Sequence, residues 1–243
     1  AWARDPFRRG LPGAVEVRDG AAFVAHADAL FARYPVEAVD LVKARVADMA
    51  ELAACPWLGR VRSLSLTQGA GGPTVRRLLD SPHFERLSEL HLGSHMTTPA
   101  AVAAVVGSRV FGRLTALSVR EDRPGGGALV GALARLARPP RLRRLDLSSN
   151  RLSAAALGPL LASPALAAVE DLNLSDNNLG AEGLGALAGA GLPSLRALNL
   201  ARTGPTADGV GALAGLLYLN LYGNPLGEAA GRVRKRFGSR AFL

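Results

Sequence analysis

Cysteine is almost missing from this 243-residue chain: Cys55 stands alone, so no disulfide can form within it. A fold stapled by internal disulfides is excluded, and a reducing, cytoplasmic setting is the expectation. Cys55 precedes Pro56-Trp57-Leu58 in an apolar segment and reads as a packed residue rather than a nucleophile. Lysine is almost missing too. Only Lys43 and Lys235 accompany the arginines, yet 29 basic residues outnumber 20 acidic ones and leave a formal charge of +9. Arginine bias beside abundant alanine and glycine reads as a GC-rich coding sequence. A nucleic-acid or acidic protein partner is the other meaning of that charge. No apolar run approaches the roughly 18 residues that would span a bilayer, so no membrane role is expected. The opening AWARDPFRRGLPG lacks the apolar core of a secretory signal and begins without Met, which reads as a trimmed chain. The glycine run Gly125-Gly126-Gly127 lacks the Lys and Ser/Thr of a phosphate-binding loop and reads as slack.

What is present is repetition. Leu145-Asp146-Leu147-Ser148-Ser149-Asn150-Arg151-Leu152 returns 27 residues later as Leu172-Asn173-Leu174-Ser175-Asp176-Asn177-Asn178-Leu179. The pattern is LxLxxNxL. Alternation puts Leu145 and Leu147 on one face of a short strand and Asp146 on the other. Asn150 falls where the chain turns away. A buried turn leaves backbone groups without ladder partners, and an amide that both donates and accepts can satisfy them. Leu152 then points back inside, and an alanine-rich segment reads as a short helix.

The columns run on beyond these two copies. The last apolar residue of each strand falls at Leu41, Leu66, Leu92, Val119, Leu147, Leu174, Leu200 and Leu221. Its partner two residues earlier is Val39, Leu64, Leu90, Leu117, Leu145, Leu172, Leu198 and Leu219. A helical apolar residue recurs at Leu79, Val105, Leu133, Leu160, Leu187 and Leu213. Such repeats bury their apolar faces only by stacking. The turn position holds Gly69, His95, Asp122, Asn150, Asn177, Thr203 and Asn224, so the early repeats need other turn solutions than asparagine.

On these motifs the chain resembles the leucine-rich-repeat family, and its ribonuclease-inhibitor-like class in particular. Asn177-Asn178-Leu179-Gly180-Ala181-Glu182-Gly183-Leu184-Gly185-Ala186-Leu187 fits that class's NxLxxxGxxxL signature. The resemblance runs from about residue 36 to the C-terminus. It implies an α/β solenoid, a horseshoe of about eight strands, with a parallel β-sheet on the concave face and helices outside. It also implies a non-enzymatic scaffold that binds protein through that face. Residues 7–41 resemble the segment that follows a short repeat-companion domain in bacterial repeat proteins, which would place such a domain upstream.

Three parts are expected. Residues 1–35 form an N-terminal capping segment, with Phe23, Ala27, Leu30, Phe31 and Tyr34 on one face of a helix that Pro35 stops. Residues 36–226 hold the repeats. Residues 227–243 form a C-terminal capping helix with Ala230, Val233 and Phe237 inward. Thr98 and Pro99 read as the cap and first residue of a helix. Ser153 is a candidate cap too, but Pro159 suggests a start nearer Gly158. The short step from Leu200 to Leu221 leaves no room for a full outer helix after Gly209.

The candidate protein-binding residues on the concave face are Arg144, Asp146, Asp171, Asn173, Asp176, Asn199, Tyr218, Asn220 and Tyr222. Tyrosine favours interface hot spots. The alternative is a nucleic-acid- or phosphate-binding solenoid using the basic flank 135–151, with Arg135, Arg138, Arg141, Arg143, Arg144 and Arg151. Ser65, His91 and Ser118 occupy one column, but a catalytic triad needs a carboxylate to orient its base, and Asp40 is two strands from His91, on the far side of Ser65. Glu89, His91 and His95 match no strong zinc spacing. No catalytic residue, metal or cofactor is expected, and a monomer is.

Overall fold

The computed structural model describes residues 7–8, 11–42, 48–67, 72–93, 98–120, 126–204, 210–213 and 215–243. The chain divides into two compact units, residues 1–116 and 117–243. In the first, β1 (Phe7–Arg8) and β2 (Leu11–Pro12) form a small antiparallel ribbon. Then β3 (Ala14–Val17), α1 (Gly20–Arg33), β4 (Ala38–Leu41), α2 (Asp48–Ala54), β5 (Ser63–Leu66), α3 (Gly72–Leu79), β6 (Glu89–Leu92) and α4 (Pro99–Val106) alternate. Strand β7 (Ala116–Val119) follows at the division. The second unit continues with α5 (Gly126–Ala134), β8 (Arg144–Asp146), α6 (Ala154–Leu161), β9 (Asp171–Asn173), α7 (Gly180–Gly189), β10 (Ala197–Asn199), β11 (Tyr218–Asn220), α8 (Ala229–Phe237) and β12 (Ala241–Phe242).

Apart from the β1–β2 ribbon, each unit pairs its strands in parallel and in chain order. Leu64 stands opposite Val39 and Leu90 in the first. Leu172 stands opposite Leu145 and Leu198 in the second, and Leu198 opposite Leu219. These are the residues the repeat pattern aligned. The strand columns and the helical column are buried throughout, from Leu41 and Val39 to Leu221 and Leu219, and from Leu79 to Leu213. In each unit neighbouring helices pack on one another as neighbouring strands do.

Local chemistry explains the boundaries. Asp19 caps α1 by accepting from Ala22 N at 3.0 Å. Phe31 on α1 stacks on Trp57 at 5.3 Å, with the Arg60 guanidinium over both rings. Thr98 caps α4 by accepting from Ala101 N at 3.2 Å, with Pro99 first in the helix, as expected. Helix α6 corrects one expectation: it starts at Ala154, capped by Ser153, and runs through Pro159. The bond lost to Pro159 belongs to the Ala155 carbonyl, and both residues are exposed, so water can replace it. Where a full helix does not fit, the described chain makes only a 3-10 turn, Val210–Leu213. A cleft of about 430 Å³ opens there, with the side chains of Leu187, Leu195, Leu213 and Leu216 in its lining.

The terminal segments hold strands as well as helices. Within 1–35, β3 pairs in parallel with β4. Within 227–243, β12 pairs with β11, and Val233 and Phe237 of α8 are buried while Ala230 is partly exposed.

Candidate functional site

The turn after each strand organises the open side of the second unit. Asn177 Nδ2 donates to Leu147 O at 2.9 Å and Leu174 O at 2.8 Å. Its Oδ1 accepts from Asn150 N at 3.1 Å and Leu152 N at 2.9 Å. Asn224 repeats the arrangement, donating to Leu200 O and Leu221 O and accepting from Thr203 N and Gly204 N. Asn150 Nδ2 donates to Val119 O at 2.7 Å and Ser148 O at 2.9 Å. Thr203 lacks an amide, and its hydroxyl donates to Leu200 O at 2.7 Å. Each asparagine thus bolts its own turn to the preceding one. The turn positions Gly69, His95 and Asp122 lie outside the described residues.

The residue between the paired leucines has a second job. Asp146, Asn173, Asn199 and Asn220 each accept, through Oδ1, the backbone N–H two residues on. The donors are Ser148 at 2.9 Å, Ser175 at 3.1 Å, Ala201 at 3.0 Å and Tyr222 at 3.0 Å. This is the Asx turn, in which a short side chain takes over an N–H that the sheet ladder drops. The ladder itself resumes one residue later, with Ser149 N donating to Ser175 O at 3.0 Å. An expectation is corrected here. Asp146 and Asn173 do not display their side chains; both are 2% exposed. Alternation says which side of the strand they occupy, but they fold back on their own backbone. Burial of the Asp146 charge is met by Arg120, whose Nε lies 3.4 Å from Oδ2. Arg120 also donates to the Ser148 hydroxyl at 3.2 Å. Sequence reasoning did not single out Arg120. Asp or Asn just ahead of the last strand leucine was the available signal for the turn.

A third column follows. Ser149, Asp176, Arg202 and Gly223 all take left-handed backbone, with φ of 58°, 58°, 51° and 71°. Asp176 and Arg202 then pair face to face, Nε to Oδ1 at 2.5 Å and Nη2 to Oδ2 at 2.9 Å. The hydrogen bonds that Arg202 donates to the Asp176 carboxylate raise the Arg202 pKa. Asp176 is therefore no free anion on this face. The arginine stem runs over Gly223, where an added Cβ would sit 2.8 Å from Arg202 Cγ.

In the first unit, Asp40, Ser65 and His91 are register partners on successive strands. His91 Nε2 lies 4.0 Å from Glu89 Oε2 and makes no hydrogen bond among the described residues. No cluster of three or more metal-ligating side chains exists among the described residues. Cys55 is buried, and burial pushes its thiol pKa up, away from nucleophilic use. Of the basic flank, Arg143 forms an ion pair with Glu170, while Arg135, Arg138, Arg141 and Arg151 are exposed.

The repeat spacing, the parallel strand–helix order and the asparagine turns converge with one comparison: a family model described as Leucine Rich repeat matches residues 169–188. The chain carries a leucine-rich repeat. No curated protein matches it. Among solved structures, this leucine-rich-repeat chain is similar to the Rad7 and Elc1 complex in yeast, at 15% identity and a TM-score of 0.43, over 81% of this chain and 64% of that one. It is also similar to an internalin (inlF) from Listeria monocytogenes str. 4b F2365, at 16% identity and a TM-score of 0.46, over 78% of this chain and 48% of that one. It thus spans less than two thirds of the length of either.

Among the described residues, the large exposed aromatic side chains lie on β11, just after it and on β12. Tyr218 is 46% exposed, Tyr222 50% and Phe242 56%. Tyr222 and Phe242 lie against each other, with ring centroids 5.8 Å apart. Tyr218 and Asn220 stand on β11 and Tyr222 just beyond it, and Phe242 on β12 is the register partner of Asn220. Strand β12 is only two residues long and follows Gly238, so no periodicity marks Phe242 in the sequence.

Proposed function

We propose that this protein is a non-enzymatic interaction module that binds a protein partner through the open face of its sheet, at β10 to β12. One observation carries the reading. The large exposed aromatic side chains of the second unit gather on that face, while Asp146, Asn173 and Asp176 are used up within the fold. Tyrosine and phenylalanine on a rigid sheet bury much area for little lost entropy. The site residues that remain are Asn199, Tyr218, Asn220 and Tyr222, with Arg144 and Asp171 at the far edge. The reading includes ribonuclease-inhibitor-like repeats, supported by outer helices such as α7, and a cytoplasmic monomer, supported by the lone buried cysteine. It also keeps 1–35 and 227–243 as caps.

The test is affinity capture from the source lysate with mass spectrometry, parent against the double variant Tyr218→Ala, Tyr222→Ala. The variant is expected to melt with the parent and to lose the captured partner. If neutralising Arg138, Arg141 and Arg151 abolishes capture and the tyrosine changes do not, the basic flank is the site and the nucleic-acid reading takes over.

A further inference from the structure

The Asx turns have a chemical consequence for what the proposed recognition face displays, and the inference rests on that reading. A backbone N–H needs an acceptor, so each asparagine in the column is held with Oδ1 toward its own backbone and Nδ2 away from it. Asn199 and Asn220 are half-buried, and their Nδ2 groups donate to no described residue. They are register partners on β10 and β11, about 4.8 Å apart. The face therefore shows a pair of amide donors and no amide acceptor.

The surroundings are apolar and stepped. Ala197 is the register partner of Tyr218, so a small residue on β10 lies beside a tall one on β11. Ala201 stands in the same relation to Tyr222, because Arg202 N donates to Tyr222 O at 2.9 Å. Arg196 is exposed just ahead of β10 and forms no ion pair among the described residues. Two acids lie nearby. Asp176 is neutralised by Arg202, and Asp171 aligns with Ala197 on the far side from Tyr218.

We propose that this face takes an acidic peptide segment of a partner protein. Its carboxylate oxygens accept from Asn199 and Asn220 Nδ2, and an adjoining aliphatic side chain lies on Ala197 against the Tyr218 ring. A second copy of this chain fits poorly, because donors would meet donors on a protein of net charge +9. A single nucleic-acid strand would want a row of unneutralised cations. Here Arg202 is paired and Arg240 donates to Phe237 O and Leu216 O.

The test uses a fluorescein-labelled peptide of alternating Glu and Leu, a Lys-Leu peptide and labelled oligo-dT, with binding read by anisotropy. The Glu-Leu peptide is expected to bind and the other two are not. The decisive variant is Asn199→Asp with Asn220→Asp. It keeps the oxygen that accepts the backbone N–H, as Asp146 does at the same place in its repeat, and replaces both displayed donors with carboxylate. Melting should be unchanged and Glu-Leu affinity should fall more than about tenfold. No Glu-Leu binding, equal binding by the variant, equal binding of Lys-Leu, or oligo-dT binding in its place would each overturn the proposal. If the tyrosine variant loses the captured partner while the Asn→Asp variant keeps it, the recognition face stands and the acidic-peptide assignment falls.

Discussion

At the scale of single residues, the second unit is held by side chains that serve two repeats at once. Asn177 donates to carbonyls of its own repeat and the preceding one, and accepts two N–H groups of the preceding turn. Removing it strands several buried backbone groups. Asn177→Ala is expected to cost about 3–5 kcal/mol, read as a loss of denaturation midpoint at constant m-value. Asp146 behaves differently from a displayed residue. Asp146→Asn keeps the bond to Ser148 N and should cost little, whereas Asp146→Ala should cost about 1–3 kcal/mol. Equal melting of the two variants would show that the Asx turn contributes nothing. These two asparagine-type roles were unequally legible. Asn177 was readable as a turn residue because it sits where the ladder must break. Asp146 and Asn173 were read as displayed, because period-two alternation assigns a side to a residue but cannot report that a short side chain curls onto its own backbone.

At the scale of elements, strand and turn form one fixed piece. Leu147→Ala and Leu174→Ala each open a cavity beneath the sheet and should cost about 2–5 kcal/mol. The left-handed column allows a test of opposite sign. Ser149 has φ 58°, a conformation that glycine adopts without strain, so Ser149→Gly should raise the melting temperature. Gly223→Ala should lower it, because the new Cβ meets the Arg202 stem. Both changes leave every leucine in place, so a shift of the same sign in both would sink the assignment. The columns of leucine were legible because burial of one strand face demands them. The left-handed column was not, since serine, aspartate, arginine and glycine share no side-chain chemistry there and only the backbone unites them.

At the scale of the whole molecule, a repeat array is stabilised by nearest neighbours, so an end needs its last neighbour. Deleting residues 227–243 removes the buried Ala229, Val233 and Phe237 together with β12. The shortened chain is expected to melt lower and to associate, seen by light scattering; a monomer of unchanged melting temperature would show that this segment is no cap. The asparagine bolts also set where the chain can change length. The steps between Leu147, Leu174, Leu200 and Leu221 are 27, 26 and 21 residues, yet each turn asparagine or threonine follows its leucine by three. All the variation falls on the helix side, where α7 gives way, among the described residues, to a 3-10 turn. An inserted residue between Leu174 and Asn177 would unfasten two repeats, whereas one inserted near Gly191, in the exposed loop after α7, would touch none of the bolts. Insertions and deletions should therefore survive on the back of this protein and be purged from its front, so the face can diverge by substitution while its spacing stays constant.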